Sequence, residues 1–508
     1  MNSYWIETTE IEDDRKQIDN NYTADVCIIG AGITGLSAGY YLAKEGLKVI
    51  ILDKDEIGRK ASGHTTAKIT LQHGLIYDYL INSYGIKFAL KYFEANKNAI
   101  ENIKNIIKEE KINCDFEEQP NFIYTTDKKE VDKIKNEVDA INGLSGYLSG
   151  ERYAAFASTS DVPFKIEGAV KTDKQAQFHP RKYMLGLAKA IEKYGGIFFT
   201  NSLVKDVKKG QEGSYITFSG NFEIKSKYVV LASHYPFINF PGLYFSKMYQ
   251  TTSYAIAIET EEKKFNGMYI NTKEPILSLR TIKDGDKRLI MLGGGNHKTG
   301  FDPESNLDFG YNYLEQQARK LYPSCKILYR WNTRDCITLD KIPYIGTFSH
   351  LMPCVYVATG FNKWGMTTSN VAGNIIKDSI LGIENAYADI FEATRVKPIK
   401  NRDEIKNIVG QVVKSFVTNR IKIPEKDLSV IKENNGGIIK VNGTSVGIYK
   451  NSEGDVFAVN PTCTHLGCLL TWNNLDKTWD CPCHGSRFDY TGKNLYDPAF
   501  KDLDRYEI

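Results

Sequence analysis

At 508 residues the chain is too long for a single hydrophobic core, which predicts about two to four domains, each burying its own interior. Sixty-five basic against 62 acidic residues leave a formal charge of only +3, so nothing in the electrostatics argues for nucleic acid or an anionic membrane surface. Small molecules are the expected partners, with no integral membrane contact, since no run approaches the roughly 18 apolar residues of a membrane span.

Met1 to Gln17 carries Glu7, Glu10, Glu12, Asp13 and Asp14 and lacks the apolar stretch of a secretory signal, which leads us to expect a cytoplasmic protein. Residues 24 to 53 read as one βαβ unit: Asp-Val-Cys-Ile-Ile, a glycine-rich turn, Leu36 to Glu45, then Lys-Val-Ile-Ile-Leu-Asp. The turn is Gly30-Ala31-Gly32-Ile33-Thr34-Gly35, and Asp53 ends the second strand 18 residues after Gly35. In that context the pattern is a dinucleotide fingerprint. The first glycine permits the tight turn, the second lets a pyrophosphate approach the backbone, the third lets helix meet strand, and the helix N-terminus stabilises phosphate charge. NAD and FAD both use it, so the motif leaves the nucleotide open.

Lys87 to Glu110 places Ala99, Ile100, Ile103, Ile106 and Ile107 on one helical face, which reads as a core stripe. Tyr183 to Tyr194 predicts another helix, and strands are expected at 214–217, 228–231, 289–292 and 355–357. Gly293-Gly-Gly295 lacks the helix and acid of a second nucleotide site. Near Thr394 the texture breaks at Arg395, Lys397, Pro398, Lys400 and Arg402, the start of a linker over 395–424. Inside it Ile405, Ile408, Val409, Val412, Val413 and Phe416 predict an amphipathic helix that docks the two domains, with a place on a membrane surface as the lesser alternative. After Pro424 come short β-rich runs with turns at Asn435-Gly436-Gly437, Asn442-Gly443 and Glu453-Gly454-Asp455, a small all-β module over 425–508.

Of nine cysteines, Cys27, Cys114, Cys325, Cys336 and Cys354 are scattered in mostly apolar contexts and read as buried thiols. The other four crowd into 21 residues, which suggests metal. They form two boxes, Cys463-Thr-His465-Leu-Gly467-Cys468 and, after 12 residues, Cys481-Pro-Cys483-His484-Gly485-Ser486. A tetrahedral zinc site accepts the same two thiolates and two imidazoles. The C-x-H and C-x-x-H spacing, each pair followed by glycine, resembles the Rieske family box for box. That resemblance implies a [2Fe-2S] cluster with Cys463 and Cys481 on one iron and His465 and His484 on the other, in a potential range of roughly −150 to +300 mV. It also implies a Cys468–Cys483 disulfide, an apolar cover from Leu466 and Pro482, and a Ser486 hydroxyl on a cluster sulfur. High-potential members carry a tyrosine where this chain has Phe488, so the expected potential is below theirs.

Residues 24 to about 375 resemble the D-amino-acid oxidase and glycine oxidase family of FAD enzymes. The supporting stretches are Ala61-Ser-Gly-His-Thr-Thr-Ala67, Gln177-Phe-His-Pro-Arg-Lys-Tyr183, Asp340-Lys-Ile-Pro-Tyr-Ile-Gly346 and Val355-Tyr-Val-Ala-Thr-Gly-Phe-Asn-Lys-Trp-Gly-Met366. The resemblance implies an α/β, Rossmann-like FAD-binding domain of the glutathione-reductase type with an inserted α+β substrate domain, followed by the all-β Rieske domain. The FAD-binding parts would be about 20–80, 165–245 and 335–394, and the substrate parts about 81–164 and 246–334. Implied FAD contacts are Gly30, Ala31, Gly32, Thr34, Gly35, Asp53 and Lys54 at the fingerprint, Ser62, Thr65, Thr66 and Ala67 beside the pyrophosphate and ring, and Val204 at the adenine. Ala232 follows, and Gly360, Trp364, Gly365 and Met366 lie against the ring. Arg280 and Arg334 lie in segments where this family places an arginine for a substrate carboxylate. His64 invites comparison with flavin-tethering histidines, but its frame does not match theirs, and His179 before Pro180 reads as structural. No catalytic base is identifiable.

Taken whole, the chain resembles bacterial FAD oxidoreductases of the glycine oxidase type that end in a Rieske domain. This implies a dehydrogenase oxidising an amine or amino-acid C–N bond. A flavin takes a hydride and a cluster passes one electron at a time, so electrons would leave through the cluster to an external one-electron acceptor. An electron-transfer or redox-sensing protein without an amine substrate stays open. A Rieske oxygenase would need a separate two-histidine, one-carboxylate iron site, and His64, His73, His179, His234, His297 and His350 show no paired spacing. An NADH-driven reductase would need a second nucleotide fingerprint.

Overall fold

A computed structural model describes residues 3–9, 14–300, 309–395 and 430–506. The βαβ unit forms as its pattern predicts: strand Tyr22–Ile29, helix Ile33–Lys44, strand Val49–Leu52. These strands join an eight-stranded sheet ordered Tyr344–Ser349, Met352–Thr359, Phe222–Leu231, Tyr22–Ile29, Val49–Leu52, Ile197–Phe199, with Val204–Lys209 and Tyr215–Ser219 extending it off Phe222–Leu231. The strands from Met352–Thr359 to Ile197–Phe199 run parallel, Val26 standing beside Tyr228 on one side and Val49 on the other. Burial on both faces explains the unbroken apolar run Val-Ile-Ile-Leu, since parallel sheets are covered by helices on each side. Strand order reverses at Tyr22–Ile29, so a crevice opens beyond its carboxyl end.

Helix Ile33–Lys44 is buried along most of its length between Pro180–Lys193 and Gly365–Leu381. The close approach of Gly365–Leu381 depends on Gly373, where a Cβ would stand 2.9 Å from the Ser37 backbone. The helix predicted over 87–110 spans Ile86–Glu109 and buries Ala99, Ile100, Ile103 and Ile106, while Ile107 is only partly covered. His179 caps helix Pro180–Lys193, its ring accepting from the Lys182 N–H, and burial pushes it down to about 3.

A second, nine-stranded sheet is ordered Lys326–Thr338, Met248–Glu259, Lys287–Lys298, Leu277–Asp284, Met268–Asn271, Glu117–Thr125, Gly168–Gln177, Lys68–Ile69, with Ala154–Ala157 on Gly168–Gln177. Here the expected partition needs correction. Gly168–Gln177 and Lys68–Ile69, counted above with FAD-binding parts, hydrogen-bond into this second sheet, because Gly168–Gln177 pairs with Glu117–Thr125 along its whole length. Two four-stranded antiparallel sheets make up residues 430–506.

Arg395, where the sequence pattern breaks, is buried: it donates to Asp340 (2.8 and 3.0 Å) and to the carbonyls of Ile342, Pro343 and Phe391, and stacks on Tyr344. The chain is therefore pinned to the first unit as far as Arg395. The docking helix expected within 395–424 lies outside the described residues. No helix among the described residues is long and apolar enough to cross a membrane. Cys27, Cys114, Cys325 and Cys336 are buried, but Cys354 is only half-buried, near the end of its strand.

Candidate functional site

The crevice is the entrance to a long cavity. Its floor is the glycine turn. A Cβ at Gly30 (φ +109°) would stand 2.5 Å from the Ala232 carbonyl oxygen, and one at Gly35 would collide with the Gly30 carbonyl at 1.9 Å. Gly35 thus serves helix–strand packing behind the wall. Asp53 lines the cavity, but its carboxylate accepts from the Ala31 N–H (2.6 Å) and the Asp55 N–H (2.9 Å), so it braces the turn. Burial pushes its carboxyl up to about 6.

Of the expected FAD contacts, Gly30, Gly32, Thr34, Asp53, Lys54, Ser62, Thr65, Thr66, Val204, Ala232, Gly360, Trp364, Gly365 and Met366 all line this one cavity. Ala31, Gly35 and Ala67 stand behind its surface. Ala67, at φ +54°, offers its carbonyl to Arg280. The first residues of two helices, at Gly32–Ile33 and Gly365–Met366, meet the cavity, and although the Ile33 N–H is taken by the Ser62 hydroxyl at 3.1 Å, the positive ends of the two helices suit an anionic pyrophosphate or an electron-rich ring carbonyl. Trp364 is held by a stacked His73, whose ring is itself bound by Tyr92 (2.7 Å) and the Thr70 carbonyl (2.9 Å). A glycine turn too tight for a Cβ and two helix ends at one cleft fit a dinucleotide.

The two arginine candidates part company. Arg280 is absent from the cavity wall: it donates to the carbonyls of Thr66, Ala67 and Thr281 and stacks on Trp5, so it fixes the loop beside the cavity and is not a carboxylate site. Arg334 lines the cavity, is 2% exposed, and among the described residues donates a hydrogen bond to no protein group. Its nearest charge is Asp480 at 3.8 Å, and its guanidinium lies 4.4 Å from the Tyr496 ring centre. His64 also lines the cavity and its Nδ1 lies 2.9 Å from the Lys60 carbonyl.

Sequence reading missed several wall residues. Lys68 is buried and donates to the Tyr269 carbonyl (2.8 Å) and the Ser278 hydroxyl (2.5 Å); burial, with help from Arg280, pushes it down to about 7. Lys363 lines the cavity in the left-handed region at φ +75° with its side chain exposed. Asp335 accepts from Ser253 at 2.7 Å. A lone lysine in Ala67-Lys-Ile or Asn362-Lys-Trp carries no motif; only its tertiary surroundings mark it.

The cluster boxes form two loops that face each other. Cys463 and Cys481 are buried and free, and the His465 and His484 rings lie 5.1 Å apart. Both Nδ1 atoms are buried without a hydrogen-bond partner, the vacant electron pairs a metal would take. Burial pushes His465 down to about 4 and His484 to about 3, the neutral form that ligates iron. The Cys463 thiol is drawn down to about 7 by Cys481, the His465 and Leu466 N–H groups and the Ser486 hydroxyl. Cys468 and Cys483 are joined in a disulfide across the loops. The sulfurs of Cys468, Cys481 and Cys483 fall within 4.8 Å of one another, but the disulfide removes two of them as ligands. Four soft and borderline donors with orphaned imidazole nitrogens fit a Rieske cluster.

This module packs directly on the cavity's outer wall. Ser233, His234, Tyr235 and Phe237 line the cavity, and the same stretch continues to Asn239, whose Oδ1 is 2.8 Å from His465 Nε2. Tyr235 and Phe245 lie 6.5 and 5.9 Å from the His484 ring centre. Two glycines permit the contact: a Cβ on Gly300 (φ +87°) would stand 2.4 Å from Pro482, and one on Gly485 (φ +83°) 2.3 Å from Gln250. Arg487 clamps Asp480 with two 2.6 Å bonds and pairs with Asp476 at 2.8 Å, while Asn332 bridges to Asp476 at 3.0 Å. Burial alone would raise the Asp480 carboxyl, but Arg487 and Arg334 outweigh it and hold it at about 2.

Residues 25–379 match the family described as FAD dependent oxidoreductase, and residues 422–507 match the Rieske [2Fe-2S] domain. YhfW of Bacillus subtilis (strain 168), whose name describes a Rieske 2Fe-2S iron-sulfur protein, is 35% identical over 507 residues, covering 100% of this chain and 97% of its own. Gamma-glutamylputrescine oxidoreductase of Escherichia coli (strain K12) is 24% identical over 72% of this chain and 85% of its own. Glycine oxidase from Geobacillus kaustophilus superposes with a TM-score of 0.59 at 18% identity, over 74% of this chain and 100% of that structure, a likeness of fold.

Proposed function

This chain belongs to the FAD dependent oxidoreductase family and ends in a Rieske [2Fe-2S] domain, and on that premise we propose that it is a dehydrogenase that oxidises an amine or amino-acid C–N bond and passes the electrons through the cluster to an external one-electron carrier. When bound, FAD takes up a hydride and the cluster relays single electrons. Cys463 and Cys481 hold one iron of that cluster, and His465 and His484 hold the other. The flavin unit is residues 1–394, the electron-relay unit 425–508, and the working compartment the cytoplasm.

One observation carries this reading. The stretch from Ala232 to Phe245 lines the flavin cavity at one end and meets both cluster histidines at the other, so the two redox groups share a wall. A simple oxidase has no need of that juxtaposition. Arg334, with every guanidinium donor unspent on hydrogen bonds, suits a substrate carboxylate. Lys68 is the proton acceptor we assign for the substrate ammonium. Its two donated bonds are the two that a neutral amine can make, which leaves its lone pair unspent.

Anaerobic reduction of the holoprotein by a panel of amines and amino acids tests the proposal, with flavin bleaching followed optically and the cluster by electron paramagnetic resonance. A substrate should bleach the flavin first and bring up the Rieske signal second. Reduction of both centres by dithionite, with none by any amine, would overturn the assignment.

A further inference from the structure

The fold of the Rieske domain leaves one of its loops inside the flavin unit. Beyond the second cluster box, strand Asn494–Tyr496 and the residues after it lie along the dinucleotide cleft, and Tyr496, Asp497 and Phe500 are part of the cavity wall. Their anchors come from two separate stretches of the flavin unit. Asp497 Oδ1 accepts from Lys54 Nζ at 2.7 Å, both side chains being 22% exposed. Lys60 Nζ donates to the Leu495 carbonyl at 3.3 Å and stands 5.1 Å from the Tyr496 ring centre. Phe500 meets Phe237, another wall residue, edge to face at 5.5 Å.

The placement matters because of what Lys54 and Lys60 flank. Lys54 follows Asp53, the acid at the end of the fingerprint, and Lys60 precedes the Ala61–Ala67 loop. Both lysines line the cleft that receives the dinucleotide, and both are held by the Rieske domain. Residues that seal a ligand's cavity and also join two domains make ligand affinity and domain docking one equilibrium, and the coupling is reciprocal.

We propose that the FAD site is composite: Tyr496 and Asp497 of the Rieske domain close it, so docking of that domain tightens FAD and bound FAD holds the domain docked. The inference requires only that FAD occupies the cavity, which the flavin spectrum of the wild-type protein checks independently of substrate or electron direction.

The test uses the full chain. Asp497→Lys sets like charges against each other at Lys54, and Tyr496→Ala removes the ring that covers Lys60. The FAD dissociation constant is read from quenching of flavin fluorescence, and Rieske paramagnetic resonance reports that the cluster domain is intact. Asp497→Lys should weaken FAD about tenfold or more. Backbone hydrogen exchange across 494–500 should slow when FAD is added to apoflavin protein. If Asp497→Lys loses the Rieske signal, Tyr496→Ala decides. FAD affinity within about twofold of wild type in the variants that keep the signal, or exchange across 494–500 indifferent to FAD, overturns the proposal.

Discussion

The flavin cavity and the cluster loops hold their redox groups by opposite means. The cavity is lined by many short stretches between Ile29 and Phe500, so no single residue defines it. The proposed cluster site is four side chains on two loops, each offering one donor atom. A dispersed site should therefore fail only where a side chain intrudes or a closing contact is lost, whereas a local ligand site should fail at any ligand.

The largest effect expected from that contrast is at the ligands: Cys481→Ser or His484→Ala should abolish the Rieske resonance while flavin absorbance persists. A retained Rieske spectrum in either variant would remove the residue from the ligand set. The cavity's counterpart is Gly30→Val, which forces a side chain onto the Ala232 carbonyl from a positive φ and costs about 3 kcal/mol or more. It should purify without flavin but with its cluster. Flavin bound at wild-type affinity would show that the turn is not the floor of the site.

Next in size is a buried pair inside the cluster domain, on the side that meets the flavin unit. Arg487→Met leaves Asp480 without its main partner and should cost about 3–5 kcal/mol of stability, read as a lower denaturant midpoint for the cluster domain. The same pair sets an acid limit. Because Asp480 is held at about 2, below its unfolded value, its contribution is complete above about pH 4 and is lost as pH falls from there through about 2. Acid titration of Arg487→Met should lack that component.

Smaller still, Ser486→Ala removes a hydroxyl from the Cys463 sulfur. A charge-assisted bond of about 1.5–3 kcal/mol converts to a fall of roughly 60–130 mV in the cluster potential, measurable by redox titration. The smallest effect is kinetic: Lys68→Met should flatten the rise of flavin reduction with pH through about 7, while cluster potential and FAD content stay unchanged. An unaltered pH profile would send the search for the base elsewhere.

Local pattern carried a large part of this protein. The glycine fingerprint, the two cluster boxes and the β-rich C-terminal texture are short-range signals, because a tight turn, a chelating loop and a two-residue alternation are each decided within a few residues. Only the tertiary structure separated Arg280 from Arg334. Both sit in β-strands of one sheet, and what differs is whether neighbouring carbonyls consume the guanidinium. It also decided that Gly168–Gln177 belongs with the second sheet, since strand pairing joins residues far apart in sequence. Most of all, no local pattern could place Tyr496 and Asp497 against Lys54 and Lys60, more than 400 residues earlier in the chain. An ion pair and a packed ring have no periodicity to read. They exist only where two separately folded surfaces meet, and there the chain joins its flavin cleft to its cluster.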